Sequence, residues 1–201
     1  GGDNGDDKSQ VSLDLDKIGE CMAYYQNLNS FFAIDADTIS SQDIMQKFVE
    51  GKTVYAIVNV PMLAQIDKAV DSDFYGAAAL PDLTPDLQAR GLSVTNSIVV
   101  NPYSVNVSAA EAIAAYMTEN AAGSLYESAG KLPAYRKLSE EPTPAWQTVC
   151  EAYDKAQEVP KIMELSDMWL NLEVTLADIW RGEDASGKMQ AFSELLSTRL
   201  D

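Results

Sequence analysis

The 201-residue sequence predicts a helix-rich α/β fold. Apolar residues recur every three or four positions over long stretches, the signature of one-sided helices. Between two such regions lie short β-branched and aromatic runs bounded by Pro, Gly and Asn, which read as strands. The second half returns to helical periodicity.

Residues 1–10 are Gly- and Asp-rich and read as a turn or loop. Asp3, Asp6 and Asp7 invite a calcium-loop reading, but the bidentate Glu that such a loop needs is missing from its place. Val11–Leu13 alternates like a short strand. Asp14 or Asp16 then caps a helix that buries Ile18, Cys21, Met22, Tyr25, Leu28 and Phe32. Ser40 with Asp43 forms a capping-box pattern for a second helix, which stops at Gly51. Thr53–Asn59 reads as a near-continuous buried strand. Pro61 suits the first turn of a short helix reaching about Val70. Phe74–Ala79 is a further strand, 81–91 a Pro/Asp-rich loop, and Leu92–Val100 a longer strand ended by Asn101-Pro102. Ser108 and Glu111 suggest a capping box for a helix over Ala109–Asn120. Further helices are expected over Gly123–Ala129, Ala134–Leu138, Pro144–Gln157, Leu165–Arg181 and Ser186–Leu200.

Composition excludes several functions. Fourteen Lys/Arg against 31 Asp/Glu give a formal charge of −17, which argues against nucleic-acid binding or attraction to an anionic membrane. There is no His, so a Ser–His–Asp triad, a Cys–His pair and an imidazole zinc site are all impossible. Cys21 and Cys150 form no metal-ligand spacing. They read as two buried thiols, with a disulfide left open because the compartment is not legible. No apolar run reaches the roughly 18 residues of a membrane helix. The chain begins Gly1-Gly2 without Met or signal segment, as a mature product or an excised piece would.

The segments also occur in a telling order. Phe48-Val49-Glu50-Gly51-Lys52-Thr53-Val54-Tyr55-Ala56-Ile57 resembles the F-x-x-G-x-x-A-M helix-to-strand step of family 1 extracellular solute-binding proteins, the maltose-binding-protein-like receptors of ABC sugar importers. Phe74-Tyr75-Gly76-Ala77-Ala78-Ala79-Leu80-Pro81 is similar to the family's Y-G-V-x-x-L-P strand. Ser97–Pro102 followed by Ala109–Tyr116 resembles its next strand and helix, and Leu132-Pro133-Ala134 occupies the place of a family turn. Val159-Pro160, Ser166-Asp167-Met168-Trp169 and Gly182 match the spacing of the last segment, whose helix carries a ligand-facing aromatic. The resemblance spans roughly residues 10–200. It implies the C-terminal part of a two-lobed periplasmic-binding-protein type II fold. Residues 1–91 would then be a second-lobe segment, 92–138 a segment of the first lobe, and 139–201 the second-lobe C-terminal helices.

Two places suit a small ligand. At the strand-to-helix turn, Asn59 offers a donor and an acceptor to a hydroxyl beside free helix N–H groups. Met62 stands where the family's model member has an aromatic. Asn59 can equally serve the turn alone. Trp169 offers an aromatic face to sugar C–H groups, and Asp167 an acceptor for hydroxyls. Periodicity alone places Trp169 on the Leu165–Leu172–Leu176 stripe, as core; the resemblance makes it ligand-facing. Trp146 and Trp180 read as packing. The acid pairs Glu140-Glu141, Glu183-Asp184 and Asp82/Asp86 would need defined separations to act as a glycosidase and read as solvated surface.

The expected function is non-covalent capture of a carbohydrate, with an oligosaccharide as ligand, in an interlobe cleft, and delivery to the membrane permease of an ABC importer. No catalysis, cofactor, metal or nucleic-acid partner is expected, and the place of action is extracytoplasmic, in a periplasm or anchored to the outer face of the cell membrane. Two alternatives remain: a helix-rich interaction or sensory module without a small-molecule ligand, and a receptor for a cationic solute such as a polyamine.

Overall fold

The helices begin and end where local chemistry dictates. In the computed structural model, which describes residues 1–200 apart from 3, 33–34, 36–37, 72, 135–142 and 144, the first is α1 (Leu15–Phe32), with the Asp14 carboxylate accepting the Lys17 N–H at 3.2 Å. Helix α2 (Ser41–Val49) carries the expected capping box. Ser40 Oγ accepts from the Asp43 N–H at 3.2 Å, and Asp43 accepts the Ser40 N–H at 2.9 Å. Asn59 caps α3 (Val60–Ala69), with Pro61 in its first turn. Then follow α4 (Val107–Asn120), α5 (Ala122–Ala129), α6 (Trp146–Asp154), α7 (Met168–Trp180) and α8 (Ala185–Leu200). Short 3₁₀ turns cover Lys8–Gln10 and Met163–Leu165.

The expected strands do not form as ladders. The only strands among the described residues are β1 (Leu92–Ser93) and β2 (Gln157–Glu158), paired in parallel with Leu92 opposite Gln157. Val11–Leu13, Thr53–Asn59, Phe74–Ala79 and 94–100 have no ladder partner among the described residues. A β-rich composition states a preference, whereas a ladder needs a second segment alongside. Val54, Tyr55 and Ile57 are accordingly 80%, 87% and 78% exposed rather than buried. Helix α4 also starts without its expected box. Asn106 takes the N-cap position with no side-chain cap bond, which puts Ser108 inside the first turn. The helix expected over Ala134–Leu138 falls almost wholly outside the described residues, as does the Pro144 start of α6.

The chain divides into two compact units. The first comprises Gly1–Ile39, Pro81–Ser93 and Gln157–Asp201. Here α1, α7 and α8 pack on one another. Their core is Ile162, Leu165, Ile179, Met189, Phe192 and Leu196, covered by Val11, Leu13, Ile18, Met22 and Leu172 among others. The C-terminal end of α7, whose last carbonyls have no partner within the helix, is held by amides of α1. Gln26 Nε2 donates to the carbonyls of Ile179 and Glu183, each at 2.9 Å, and Asn29 Nδ2 to that of Trp180 at 2.6 Å. Tyr25 packs on Trp180 with ring centroids 4.9 Å apart. Lys188 and Asp178 join α8 to α7 at 2.7 Å.

The second unit comprises Ser40–Leu80 and Val94–Ala156. Its core gathers Ala64, Tyr126 and Trp146 with Val60, Leu132 and Cys150 around them. Tyr126 meets Trp146 edge-on at 5.6 Å. Helix α5 ends at Gly130, which adopts φ +58°, and a Cβ there would lie 2.7 Å from the Pro61 Cα. Gly130 thus serves both as a left-handed cap and as the seat of the α3 N-terminus. Gly130→Ala is expected to cost about 2 kcal/mol, from the strained φ plus displacement of the α3 backbone, read as a drop in the unfolding midpoint. Gly51→Ala is the control. It shares the positive φ but has open space around it, so its cost should be near 1 kcal/mol.

Candidate functional site

The structure places the four candidate residues at two helix N-termini. Asn59 and Met62 lie at the start of α3 in the second unit, and Asp167 and Trp169 at the start of α7 in the first. In each, a planar polar side chain holds the N-cap position and a large apolar one follows within the first turn. Asn59 and Met62 are joined by a capping hydrogen bond in the second unit, whereas Asp167 and Trp169 are two positions apart at one helix start in the first.

At α3, Asn59 Oδ1 accepts the Met62 N–H at 3.0 Å, so the local role of Asn59 is filled. Its side-chain amide nitrogen makes no hydrogen bond among the described residues, which leaves two donors for a ligand acceptor. Met62 is half-buried.

At α7, Trp169 is 43% exposed. It is therefore not part of the core, and the periodicity reading of it is corrected. Leu165 lies in a separate 3₁₀ turn, so its phase does not run on into α7; Met168 and Leu172 pack on the core and Trp169 is rotated off that line. Leu170 and Val174 are exposed beside it and extend an apolar surface along the helix. Asp167 makes no side-chain cap bond. Its Oδ2 instead accepts from Arg199 Nη2 at 2.7 Å, an interaction that fixes the carboxylate's direction from α8. Asn171 Nδ2 donates to the Asp167 carbonyl at 2.8 Å. Sequence reasoning missed Arg199 and Asn171. An i,i+4 relation could have suggested Asn171, but no local pattern points to a partner 32 residues away.

The other candidates are accounted for locally. Asp7 accepts from Ser9 N and Oγ and from Gln10 Nε2 at 2.6–2.9 Å, which lowers its carboxyl pKa from the usual value. Asp82 accepts the Ala89 N–H at 2.8 Å and Asp184 the Gly187 N–H at 2.8 Å, so both serve turns or caps. Glu140 and Glu141 lie outside the described residues. Among the described residues no group of three or more Cys, Asp or Glu is arranged to hold a metal. Cys21 and Cys150 are half-buried thiols in different units. Among the described residues, no helix is long and apolar enough to cross a membrane. The open depressions among the described residues include one of about 520 Å³ between Lys17, Cys21 and the 83–89 loop and one of about 510 Å³ around Lys68–Phe74. Neither is lined by the four candidate residues.

No protein-family model matches the chain. It is similar to the maltodextrin-binding protein MdxE of Bacillus subtilis (strain 168), with 26% identity over 193 residues. The match covers 92% of this chain and 46% of that protein, so the chain spans about half the length of the relative it matches.

Proposed function

We propose that the chain is the C-terminal part of a carbohydrate receptor and binds an oligosaccharide of the maltodextrin class without reacting with it. The observation that carries this reading is the similarity along 92% of the chain to a protein named for maltodextrin binding. The exposed Trp169 and the Arg199-held carboxylate of Asp167 at the same helix start support it, because a sugar offers C–H faces to a ring and hydroxyls to planar acceptors. Asp167, Trp169, Asn59 and Met62 are the proposed contacts. In the intact receptor the ligand would sit in an interlobe cleft. Closure follows when one ligand touches both lobes and so favours the closed state. The exposed apolar residues of 53–58 and 94–100 fit this reading, as strands whose sheet is completed by the remainder of a longer receptor. A membrane permease of an ABC importer and an extracytoplasmic location complete the proposal.

A cationic ligand fits less well. Arg199 already engages the carboxylate beside Trp169, so an aromatic box with two free acids is not available there.

The test is tryptophan fluorescence of this chain titrated with maltooligosaccharides into the tens of millimolar, since part of a receptor's contacts supports roughly millimolar affinity. A saturable change is expected with the wild type. Trp169→Ala should abolish it while moving the unfolding midpoint by no more than about 2 °C, as befits an exposed ring. Saturation that survives in Trp169→Ala would remove Trp169 from the site. A collapse of stability in that variant would return the residue to the core.

A further inference from the structure

Four side chains distant in sequence meet in the second unit. Asp67, near the C-terminal end of α3, accepts hydrogen bonds from three hydroxyls. Tyr126 donates to Oδ2 at 2.6 Å, Thr143 to Oδ1 at 3.0 Å, and Tyr75 also to Oδ1. The Tyr75 and Thr143 hydroxyl oxygens are 3.2 Å apart. Tyr126 and Thr143 are buried. No ion pair to Asp67 is present among the described residues, so neutral donors alone hold the carboxylate.

Partial burial of a carboxylate is costly unless its lone pairs are taken, and an apolar residue could pack in the same place at less cost. What the hydroxyls add is direction. They tie α3 at one point to α5, to the segment after α3 and to the segment before α6. Lys68 strengthens the tie to α5, donating to the Glu127 carbonyl at 2.6 Å. On a helix, Asp67 shares its face with Val60, Leu63 and Ala64, seven, four and three residues earlier, whereas Met62 lies about 140° around. At the other end of α3, Pro61 rests on Gly130. The helix is thus held along its inner face at both ends, and the part left uncommitted is the edge that carries Asn59 and Met62.

We propose that Asp67 is a positioning residue: its three-hydroxyl cage fixes the rotation of α3 and so the placement of Met62 and Asn59. That these two meet a carbohydrate rests on the reading above; the fixing of Met62 does not.

The experiment uses the 201-residue chain with methyl-labelled methionines, comparing wild type, Tyr126→Phe and Asp67→Asn. Tyr126→Phe removes one hydroxyl and keeps the ring against Trp146. The Met62 methyl resonance is expected to shift or broaden in both variants, while that of Met189, in the core of the first unit, stays in place. Maltooligosaccharide affinity, measured well below the unfolding midpoint, should weaken about fivefold, because the competent arrangement of α3 is less populated. An unchanged Met62 resonance with a lowered midpoint would overturn the proposal and leave Asp67 a purely stabilising group. A shifted Met62 resonance with unchanged affinity would support the fixing of α3 by Asp67 and overturn the contact of Met62 and Asn59 with the carbohydrate. If the wild type binds no maltooligosaccharide, the carbohydrate reading falls, and the Met62 resonance alone decides whether Asp67 positions α3.

Discussion

Replacing Ile179 by alanine is expected to destabilise the first unit by about 4 kcal/mol, toward the upper end for deletion of a buried isoleucine. The side chain is wholly enclosed, at 0% exposure, among Ile162, Leu165, Met189, Phe192 and Leu196. The cost depends on how far the surroundings can collapse into the space left behind. Here they are restrained, because Gln26 holds the Ile179 carbonyl from α1 and the Lys188–Asp178 pair holds α8 against α7. At about 3 °C per kcal/mol for a chain of this size, the unfolding midpoint should fall by roughly 12 °C. Val174→Ala, five residues earlier on the exposed face of α7, serves as control and should change stability by no more than about 0.5 kcal/mol. Equal effects at the two positions would show that α7 does not face the core as described.

Features of this fold were legible in the sequence in proportion to how local they are. The capping box of Ser40 and Asp43, the Asn59–Pro61 start of α3 and the glycines at 51 and 182 act within four or five residues, and each is where it was expected. Ser108 and Glu111 had the right spacing for a box, but Asn106 took the cap position two residues earlier, so spacing alone did not fix the phase. The strands were the least legible. Thr53–Asn59 has the composition of a buried strand, yet a strand is a relation between segments, and no partner for it stands among the described residues. In the candidate site the residue types of Asn59, Met62, Asp167 and Trp169 could be read from the sequence. The exposure of Trp169 could not, because a stripe drawn through Leu165 crossed the boundary between a 3₁₀ turn and a helix. The Asp67 cage was illegible for a related reason, since its donors lie 8, 59 and 76 positions away.

That cage also sets how the second unit responds to alkali. Burial, and then the hydrogen bond to Asp67, pushes the Tyr75 phenol up to about 12; the same causes push Tyr126 further in the same direction. In the unfolded chain both phenols ionise near their ordinary value of about 10. A phenol whose folded pKa is raised stabilises the fold fully below the unfolded value, and that stabilisation is lost as pH rises toward the folded one. The expected result is an unfolding midpoint that is level up to about pH 10 and then falls steeply through pH 12. Lys161 and Lys188, raised by Glu158 and Asp178, lose stabilisation in the same direction, but these pairs are exposed and salt screens them. Measured at about 0.5 M salt, the remaining decline should come mainly from the phenols. Tyr126→Phe should then flatten the curve above pH 10, because the variant has one fewer phenol to release a proton on unfolding. Tyrosinate absorbance should rise for Tyr75 and Tyr126 only as the chain unfolds. A wild-type curve no steeper than that of Tyr126→Phe would mean that the hydroxyl of Tyr126 is not held by Asp67. It would also remove the physical basis for assigning that carboxylate a positioning role.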